Sequence, residues 1–528
     1  AKELRHWDET SVTIDWSGRN KKGSTSRSNG NRNDIYKESL RERSDKSKEG
    51  KGRYTYPKAV IAPNASQVET YDTIIPPLLD TLLAPSGQAQ DVLLFAYGQT
   101  GTGKTHTMLG PDYSLNHIDI SVEAKSKSSN EYGNLPSKDF HPDWGLFPRA
   151  VYDIWSKLEE IGEPFVISVT AAEFYLMSGN DLLANNAPVY NSSTNNSEII
   201  GLERRILHSP NDILPLLHEI RNARHTRSTI MNSSKKNTNS GGDQHRGGRS
   251  AATRKPSKAS TVAHDEESDH QGSSRGHAAI ILQVLRIVPQ KISKSESESE
   301  LGSSKPKKRY KFISTTMHVI DLAGAERPDK NGLARVSGIA AYMEVLKDPT
   351  GETISTDTQT AFINMELTML GSEILSATEC YRKGRPYRTI AALNTDGMRY
   401  VGNCLSGKAV VAMVVCLSQA PQCGWETWFS CEFGKNMSKL ETMRFYAPVL
   451  DLYESVIKAR ELLMENEAYM SSRVKSNNPI RKPHIRMQRE ALIKHQRMQL
   501  VAYRELAHKC GMLVGDVNLF KDLDLPST

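Results

Sequence analysis

The stretch DVLLFAYGQTGTGKTHTM, residues 91–108, decides the fold of this 528-residue chain. Its first seven residues, DVLLFAY, are apolar after the initial Asp91, and such a run is typical of a strand buried on both faces of a parallel or mixed sheet. Its centre, Gly98–Thr105, fits the pattern GxxxxGK[ST] in full, and the residues that follow suit a helix. A strand, a glycine-rich turn and a helix in this order predict a phosphate-binding loop in an α/β fold.

The loop carries the groups that a nucleoside triphosphate needs. Its glycines let backbone N–H groups point at phosphate oxygens, and the N-terminus of the following helix adds a positive potential. Lys104 is expected to reach the β and γ phosphates, and the hydroxyl of Thr105 is expected to bind Mg²⁺. The predicted nucleotide-binding residues of the loop are Gly98, Gln99, Thr100, Gly101, Thr102, Gly103, Lys104 and Thr105.

A second motif, HVIDLAGAER at 318–327, places Asp321 at the end of an apolar strand and Gly324 three residues later. Asp321 is expected to hold a water of the Mg²⁺ shell. The N–H of Gly324 can approach the γ-phosphate because no side chain blocks it. A DxxG after a strand is the usual γ-phosphate sensor of nucleotide switches, although the pattern on its own is common.

A third motif, GSSRGH at 272–277, precedes another apolar strand. Ser274 is a candidate Mg²⁺ ligand, and Ser273 is a candidate contact for the attacking water. Arg275 is expected to pair with Glu326 and to close the site around the triphosphate. Without the other two motifs, this segment would be an ordinary serine-rich turn.

Together and in this order, the three motifs resemble the motor domain of the kinesin superfamily. FAYGQTGTGKTHTM (95–108) is close to the wording of the family, SSRGH resembles its SSRSH, and DLAGAE resembles its DLAGSE. The resemblance covers about residues 53–436. Weaker correspondences are GLFPRAVYDIW (145–155), EFYLMSGNDLL (173–183), RHTRSTIMN (224–232), INMELTMLG (363–371), RPYR (385–388) and SCEFGK (430–435).

The resemblance implies an eight-stranded mixed sheet with helices on both faces, and ATP hydrolysis that microtubules stimulate. It implies ATP and Mg²⁺ as ligands, tubulin as partner, and a place in the cytoplasm on the microtubule cytoskeleton. By the same resemblance, His106 packs on the adenine, and Asn364 begins the relay helix that links the second switch to the nucleotide. The Arg275–Glu326 pair would organise the attacking water.

The sequence departs from the family at several positions. Gly276 and Ala325 replace serines, Met365 and Glu366 replace the Lys and Ser of INKSLxxLG, and neither the RxRP strand nor the SKLT motif is found. Two functions therefore stay open. One is a microtubule-activated ATPase motor, and the other is a kinesin-derived structural protein that binds microtubules and nucleotide with slow or no ATP turnover.

Composition narrows the class of protein. The chain has 68 basic and 61 acidic residues, and its six cysteines form no CxxC pair, which favours a reducing compartment over a disulfide framework. No apolar run approaches the roughly 20 residues of a membrane span, and the first residues do not form a signal peptide. We expect a soluble intracellular protein.

Polar insertions divide the predicted motor domain, residues 1–436. Residues 17–53 contain twelve Lys/Arg and five Asp/Glu and form a predicted loop between strands at 11–16 and 53–61. This loop is either a tubulin contact or a solvated linker. The other predicted insertions are 111–143, 233–270, 289–311 and 328–360. Further predicted strands are 165–175, 278–288, 313–320 and 409–417, and predicted helices are Val68–Leu83, 146–155 and Ile213–Ile220.

A helical, basic extension is predicted over 437–528. Residues 473–509 contain ten basic and two acidic residues, which suits an acidic tubulin surface. A nucleic-acid partner is not expected, because no aromatic residues are interleaved with the charges. The apolar pattern of Val449–Met470 is too short and too interrupted for an extended coiled coil, so docking on the core is predicted. The extension is also a candidate binding segment for an accessory or cargo protein.

Overall fold

A computed structural model of the chain describes residues 3–7, 11–15, 51–55, 59–116, 140–191, 198–224, 275–289, 309–325, 336–351, 353–389, 395–441, 444–473 and 482–512, with 520, 523 and 525. Three residues of the predicted site, Ser273, Ser274 and Glu326, lie outside the described residues. So does nearly all of the predicted insertions at 17–53, 233–270 and 289–311.

A nine-stranded sheet forms the centre of the described structure. Its neighbours follow the order β13-β4-β12-β11-β5-β6-β7, with β10 beside β5 and β14 beside β12. The strands are β1 (Glu3–Trp7), β2 (Ser11–Asp15), β3 (Lys51–Thr55), β4 (Asp91–Tyr97), β5 (Phe165–Tyr175), β6 (Ser178–Asp181), β7 (Ala187–Pro188), β8 (Tyr190–Asn191), β9 (Ile199–Ile200), β10 (Arg205–Leu207), β11 (His277–Ile287), β12 (Lys311–Asp321), β13 (Ala409–Val415) and β14 (Val449–Asp451). The sheet has one strand more than predicted, and β14 comes from the C-terminal segment that the family resemblance does not cover.

The sheet is mixed, as predicted. β4 runs parallel to β12 and β13, whereas β11 runs antiparallel to β12 and β5. Asp321 of β12 is in register with Ala96 of β4 and with Ala278 of β11, and Ala278 is also in register with Glu173 of β5. The ends of β4, β12 and β5 and the start of β11 therefore meet at one edge of the sheet.

Strand β4 shows why residues 92–97 of the deciding stretch are all apolar. Val92 and Leu94 pack into the hydrophobic cluster on one face of the sheet. Leu93 and Phe95 pack into the cluster on the opposite face. Because successive side chains of a strand point to opposite faces, a strand covered on both sides has no position for a solvated residue.

Helices cover both faces. The first face carries α1, α2, α3, α5 and α6, and the second carries α8, α9 and α10. The helices are α1 (Gln67–Ile74), α2 (Pro76–Leu82), α3 (Lys104–Leu109), α4 (Asp112–Asn116), α5 (Leu146–Ile161), α6 (residues 213–224), α7 (Gly338–Lys347), α8 (Thr356–Arg382), α9 (Asp396–Cys404), α10 (Gly424–Met437), α11 (Leu452–Arg473) and α12 (Lys482–Lys509).

Two helix predictions need correction. The helix predicted over Val68–Leu83 is interrupted at Ile75, because Pro76 and Pro77 occupy the first two positions of α2 and cannot donate backbone hydrogen bonds. The insertion predicted as polar over 328–360 contains α7. The side chain of Ser337 caps this helix by accepting a hydrogen bond from the N–H of Ala340, and Ala341 and Val345 are buried beneath it.

The first part of the chain forms a separate small sheet. Its three antiparallel strands follow the order β1-β2-β3. Ser11 pairs with Thr55 and Asp15 pairs with Lys51, which confirms that the segments flanking the basic loop are paired strands. The loop residues therefore leave and re-enter the described structure at neighbouring positions.

The C-terminal helices pack on the sheet. Leu452, Val456 and Leu463 of α11 and Leu500 and Leu506 of α12 belong to a buried cluster. The same cluster contains Val166, Leu285, Ile287 and Phe312 of the central sheet. The prediction that this segment docks on the core is confirmed.

Part of the basic charge of the C-terminal segment is paired inside the chain. The Nζ atom of Lys494 lies 3.4 Å from Oδ2 of Asp181 and 3.1 Å from Oε2 of Glu203. Arg497 pairs with Glu467 of α11 at 2.8 Å.

All six cysteines are free thiols. Within the described residues, no helix combines the length and the apolar character needed to cross a membrane.

Candidate functional site

The phosphate loop connects the end of β4 to the start of α3 at the edge where the strand ends meet. Gly101 and Gly103 have φ values of 79° and 86°, a left-handed conformation that costs other residues free energy. Thr102 Oγ1 donates a hydrogen bond of 2.8 Å to the carbonyl oxygen of Gln99 and closes the loop. These two glycines and this bond give the loop its curved shape.

Lys104 is buried inside this curve. Its Nζ atom donates to the carbonyl oxygens of Gly98 and Gln99, at 3.1 and 3.0 Å. An ammonium group held inside a glycine-rich turn adds positive charge to the concave side of the loop. Burial raises the pKa of the nearby Cys416 thiol to about 11, so this thiol stays protonated beside the loop.

Thr105 and Asp321 meet between the loop and β12. Thr105 Oγ1 donates a hydrogen bond of 2.6 Å to Oδ2 of Asp321. The other carboxylate oxygen of Asp321 is buried and has no hydrogen-bond partner among the described residues. A buried carboxylate oxygen without a partner is costly unless a cation or a water occupies its free side.

The segment after β12 lies directly on the phosphate loop. Gln99 and Ala325 form an isolated parallel bridge. A Cβ atom added at Gly324 would lie 2.6 Å from the backbone N of Thr100, so only glycine fits here. The predicted γ-phosphate sensor is therefore in contact with the loop through backbone atoms.

Sequence reasoning missed Arg224, a second buried cation of the site beside Lys104. Arg224 is the last residue of α6 that the structure describes, and it is 6 % exposed. Its guanidinium lies 3.2 Å from Oδ2 of Asp321 and 3.3 Å from Oε1 of Glu173. Burial alone would lower the pKa of Arg224, but the two carboxylates offset this effect and raise it above the ordinary value. Arg224 thus links α6 to β5 and β12 at the site edge.

Arg275 lies two residues before β11 and contacts α8. Its Nη1 donates a hydrogen bond of 3.1 Å to Oε1 of Gln359. Its predicted partner Glu326 lies outside the described residues, as do Ser273 and Ser274, so these three assignments stay predictions.

His106 is exposed on α3, and a second side chain orients it. Gln67 of α1 lies 3.0 Å from Nδ1 of His106 and donates a hydrogen bond of 2.7 Å to its carbonyl oxygen. An exposed ring in a fixed orientation suits stacking on a planar base. Gln67 was not predicted, since a glutamine in a helix carries no local signal for this role.

Asn364 does not begin its helix. α8 starts at Thr356, because the side chain of Ser355 caps it by accepting a hydrogen bond from the N–H of Thr358. Asn364 therefore lies in the third turn of the helix. The contact from α8 to the segment before β11 is made nearer the helix start, through Gln359.

Comparison with known proteins finds similarity to kinesins. A family model described as the kinesin motor domain matches residues 17–238. The kinesin-like protein KIF27 of Mus musculus is 25% identical over 367 residues, which are 68% of this chain and 19% of that protein. KIF11-A of Xenopus laevis is 31% identical over 191 residues, which are 35% of this chain and 16% of that protein. KIN-5C of Nicotiana tabacum is 31% identical over 192 residues, which are 34% of this chain and 17% of that protein.

Proposed function

Because this chain belongs to the kinesin superfamily of microtubule motors, we propose that it hydrolyses ATP at the phosphate loop and couples hydrolysis to microtubule binding. The matched regions span less than a quarter of the length of these relatives. The proposal therefore concerns the motor domain.

One observation carries the proposal: the hydrogen bond from Thr105 to Asp321, beside the buried ammonium of Lys104. It joins the loop that would hold the phosphates to the strand end that would sense the third phosphate. The free Asp321 oxygen and the Thr105 hydroxyl are hard oxygen donors, which suit Mg²⁺. When bound, Mg²⁺ would neutralise charge on the phosphate oxygens.

The residues of the site would have separate roles in binding the nucleotide and in hydrolysis. Lys104 and the loop N–H groups would bind and orient the triphosphate, and the N–H of Gly324 would contact the γ-phosphate. Ser274 would complete the Mg²⁺ site with Thr105 and Asp321. Ser273, with the Arg275–Glu326 pair, would position the attacking water. His106 and Asn364 would contact the nucleotide away from the reacting phosphate.

A second function stays open, since the sequence departs from the family at positions outside the phosphate loop. Met365 and Glu366 differ from the family motif, and no SKLT motif is found. A kinesin-derived protein with these changes could bind microtubules and nucleotide but turn ATP over slowly or not at all.

ATP turnover with and without microtubules separates the two functions. We expect microtubules to raise the ATPase rate of the full chain. The variants Lys104→Ala and Glu326→Ala should abolish this turnover, since the first removes the phosphate-binding ammonium and the second removes the partner of Arg275. Microtubule co-sedimentation without any stimulated turnover would overturn the motor proposal and favour the structural protein.

The basic loop is expected to contribute to microtubule binding. Residues 17–53 carry twelve basic and five acidic residues, and tubulin has an acidic surface. Deleting 17–52 should weaken microtubule affinity several-fold at low salt, with a smaller difference near 0.15 M salt because the charges are screened there. Co-sedimentation at both salt concentrations measures this. Equal affinities of the two proteins at low salt would show that the loop is a solvated linker.

A further inference from the structure

A buried carboxylate on α8 faces a buried imidazole at the start of β11. Glu366 and His277 are each 2 % exposed. Oε2 of Glu366 lies 3.5 Å from Nε2 of His277. Neither atom has a hydrogen-bond partner among the described residues. These two atoms therefore face each other across 3.5 Å in this region of the core.

The second nitrogen of the imidazole is already engaged. Nδ1 of His277 lies 3.0 Å from the backbone N of Ala323, which can only donate, so Nδ1 accepts. The ring proton is therefore on Nε2, the atom that lies 3.5 Å from Oε2 of Glu366. His277 lies two residues after Arg275, and Ala323 immediately precedes Gly324. One imidazole thus touches both segments that would sense the γ-phosphate.

We propose that Glu366 is a positioning residue, which holds α8 to both of these segments through His277. A chain of contacts of this kind would let a movement of α8 shift the N–H of Ala323 and the adjoining Gly324 together. The inference deepens the proposed function, since it assigns a route from α8 to the nucleotide site.

The contact is a feature of this chain. The family motif that residues 363–371 resemble has serine at the position of Glu366. A serine hydroxyl ends two carbon atoms nearer the backbone and would not reach the imidazole across the present 3.5 Å separation. The departure at Glu366 is therefore matched by a contact that a serine could not make.

Amide hydrogen exchange on the full chain tests the link without needing turnover. In Glu366→Leu we expect the amide of Ala323 to exchange about tenfold faster or more, because the loosened imidazole no longer holds it. Glu366→Gln keeps the shape and an acceptor oxygen, so it should retain most of the protection. The control Glu379→Leu lies on the same helix, 46% exposed at its side chain, and should leave Ala323 unchanged.

The ATPase activity provides a second test of the proposed role of Glu366. In Glu366→Leu the ratio of microtubule-stimulated to basal ATPase should fall, while affinity for a fluorescent ADP analogue stays within about twofold, because the phosphate loop is untouched. Unchanged exchange at Ala323 would overturn the inference. An equal rise in exchange throughout the sheet would overturn it as well, since Glu366 would then only support packing. If the unmodified chain has no ATPase, the proposed function fails but the exchange result still decides the link. If Glu366→Leu does not fold, Glu366→Ser takes its place in both assays.

Discussion

Deleting residues 449–528 is expected to leave a protein that no longer unfolds cooperatively. The deletion removes β14, α11 and α12, and with them the cover over Val166, Leu285, Ile287 and Phe312. Burying one such side chain contributes about 1.5–3 kcal/mol, so exposing four lowers the free energy of unfolding by about 6–12 kcal/mol. Domains are typically stable by only about 5–15 kcal/mol in total.

Thermal denaturation followed by circular dichroism, with binding of a hydrophobic dye, measures this effect. Two point variants of the full chain provide a milder test. Leu506→Ala removes a side chain that is 0% exposed and should cost about 2–5 kcal/mol. Leu462→Ala, at a position 41% exposed on the same helical hairpin, should cost little. A deletion variant with the melting temperature of the full chain would contradict the stabilising role of the C-terminal segment that docks on the sheet.

The strands of the core were predictable because double-sided burial leaves an unbroken apolar run. DVLLFAY at 91–97 corresponds to β4 residue for residue, and the hairpin predicted from 278–288 and 313–320 is the pair β11–β12. The phosphate loop was equally clear, since its glycines and its Lys–Thr pair are adjacent in sequence. A feature could be predicted from the sequence wherever the residues that form it lie within one short segment.

Helix boundaries were harder to predict. Ser355 caps α8 without the glutamate or glutamine that makes a capping box recognisable, so the early start at Thr356 left no clear signal. The sequence IPP at 75–77 did carry a signal for the break between α1 and α2, which the apolar periodicity of the segment masked. A periodic pattern specifies which face is buried better than it specifies where the helix ends.

The polar contacts of the site could not be predicted, because they join distant parts of the chain. Arg224 contacts Glu173 and Asp321 across 51 and 97 residues. Glu366 meets His277 only once α8 has packed on the sheet. No local pattern distinguishes such an arginine or glutamate from an exposed one. The sequence could therefore supply the phosphate-binding groups but not the buried charges that hold them in place.

Replacing Arg224 with leucine should destabilise the fold more than replacing an exposed arginine does. The variant would leave Glu173 and Asp321 buried without their cation, and removing one partner of a buried ion pair costs about 3–5 kcal/mol. Chemical denaturation measures the free energy of unfolding. The control Arg382→Leu removes a side chain that is 73% exposed and pairs with Glu379 on the surface, so it should cost less than about 1 kcal/mol.

Neutralising one of the two carboxylates that Arg224 contacts should recover part of the lost free energy of unfolding. We expect Arg224→Leu combined with Glu173→Gln to be more stable than Arg224→Leu alone, because only Asp321 then remains without its cation. A purely steric role for Arg224 predicts no recovery. Equal costs for Arg224→Leu and Arg382→Leu would contradict the electrostatic account, and α6 would then be held to the sheet edge by its apolar face alone. A large and recoverable loss would instead mean that the carboxylate of Asp321 stabilises the fold through Arg224, while it also contacts Thr105 of the phosphate loop. In that case substitutions at Asp321 would change stability and nucleotide binding together.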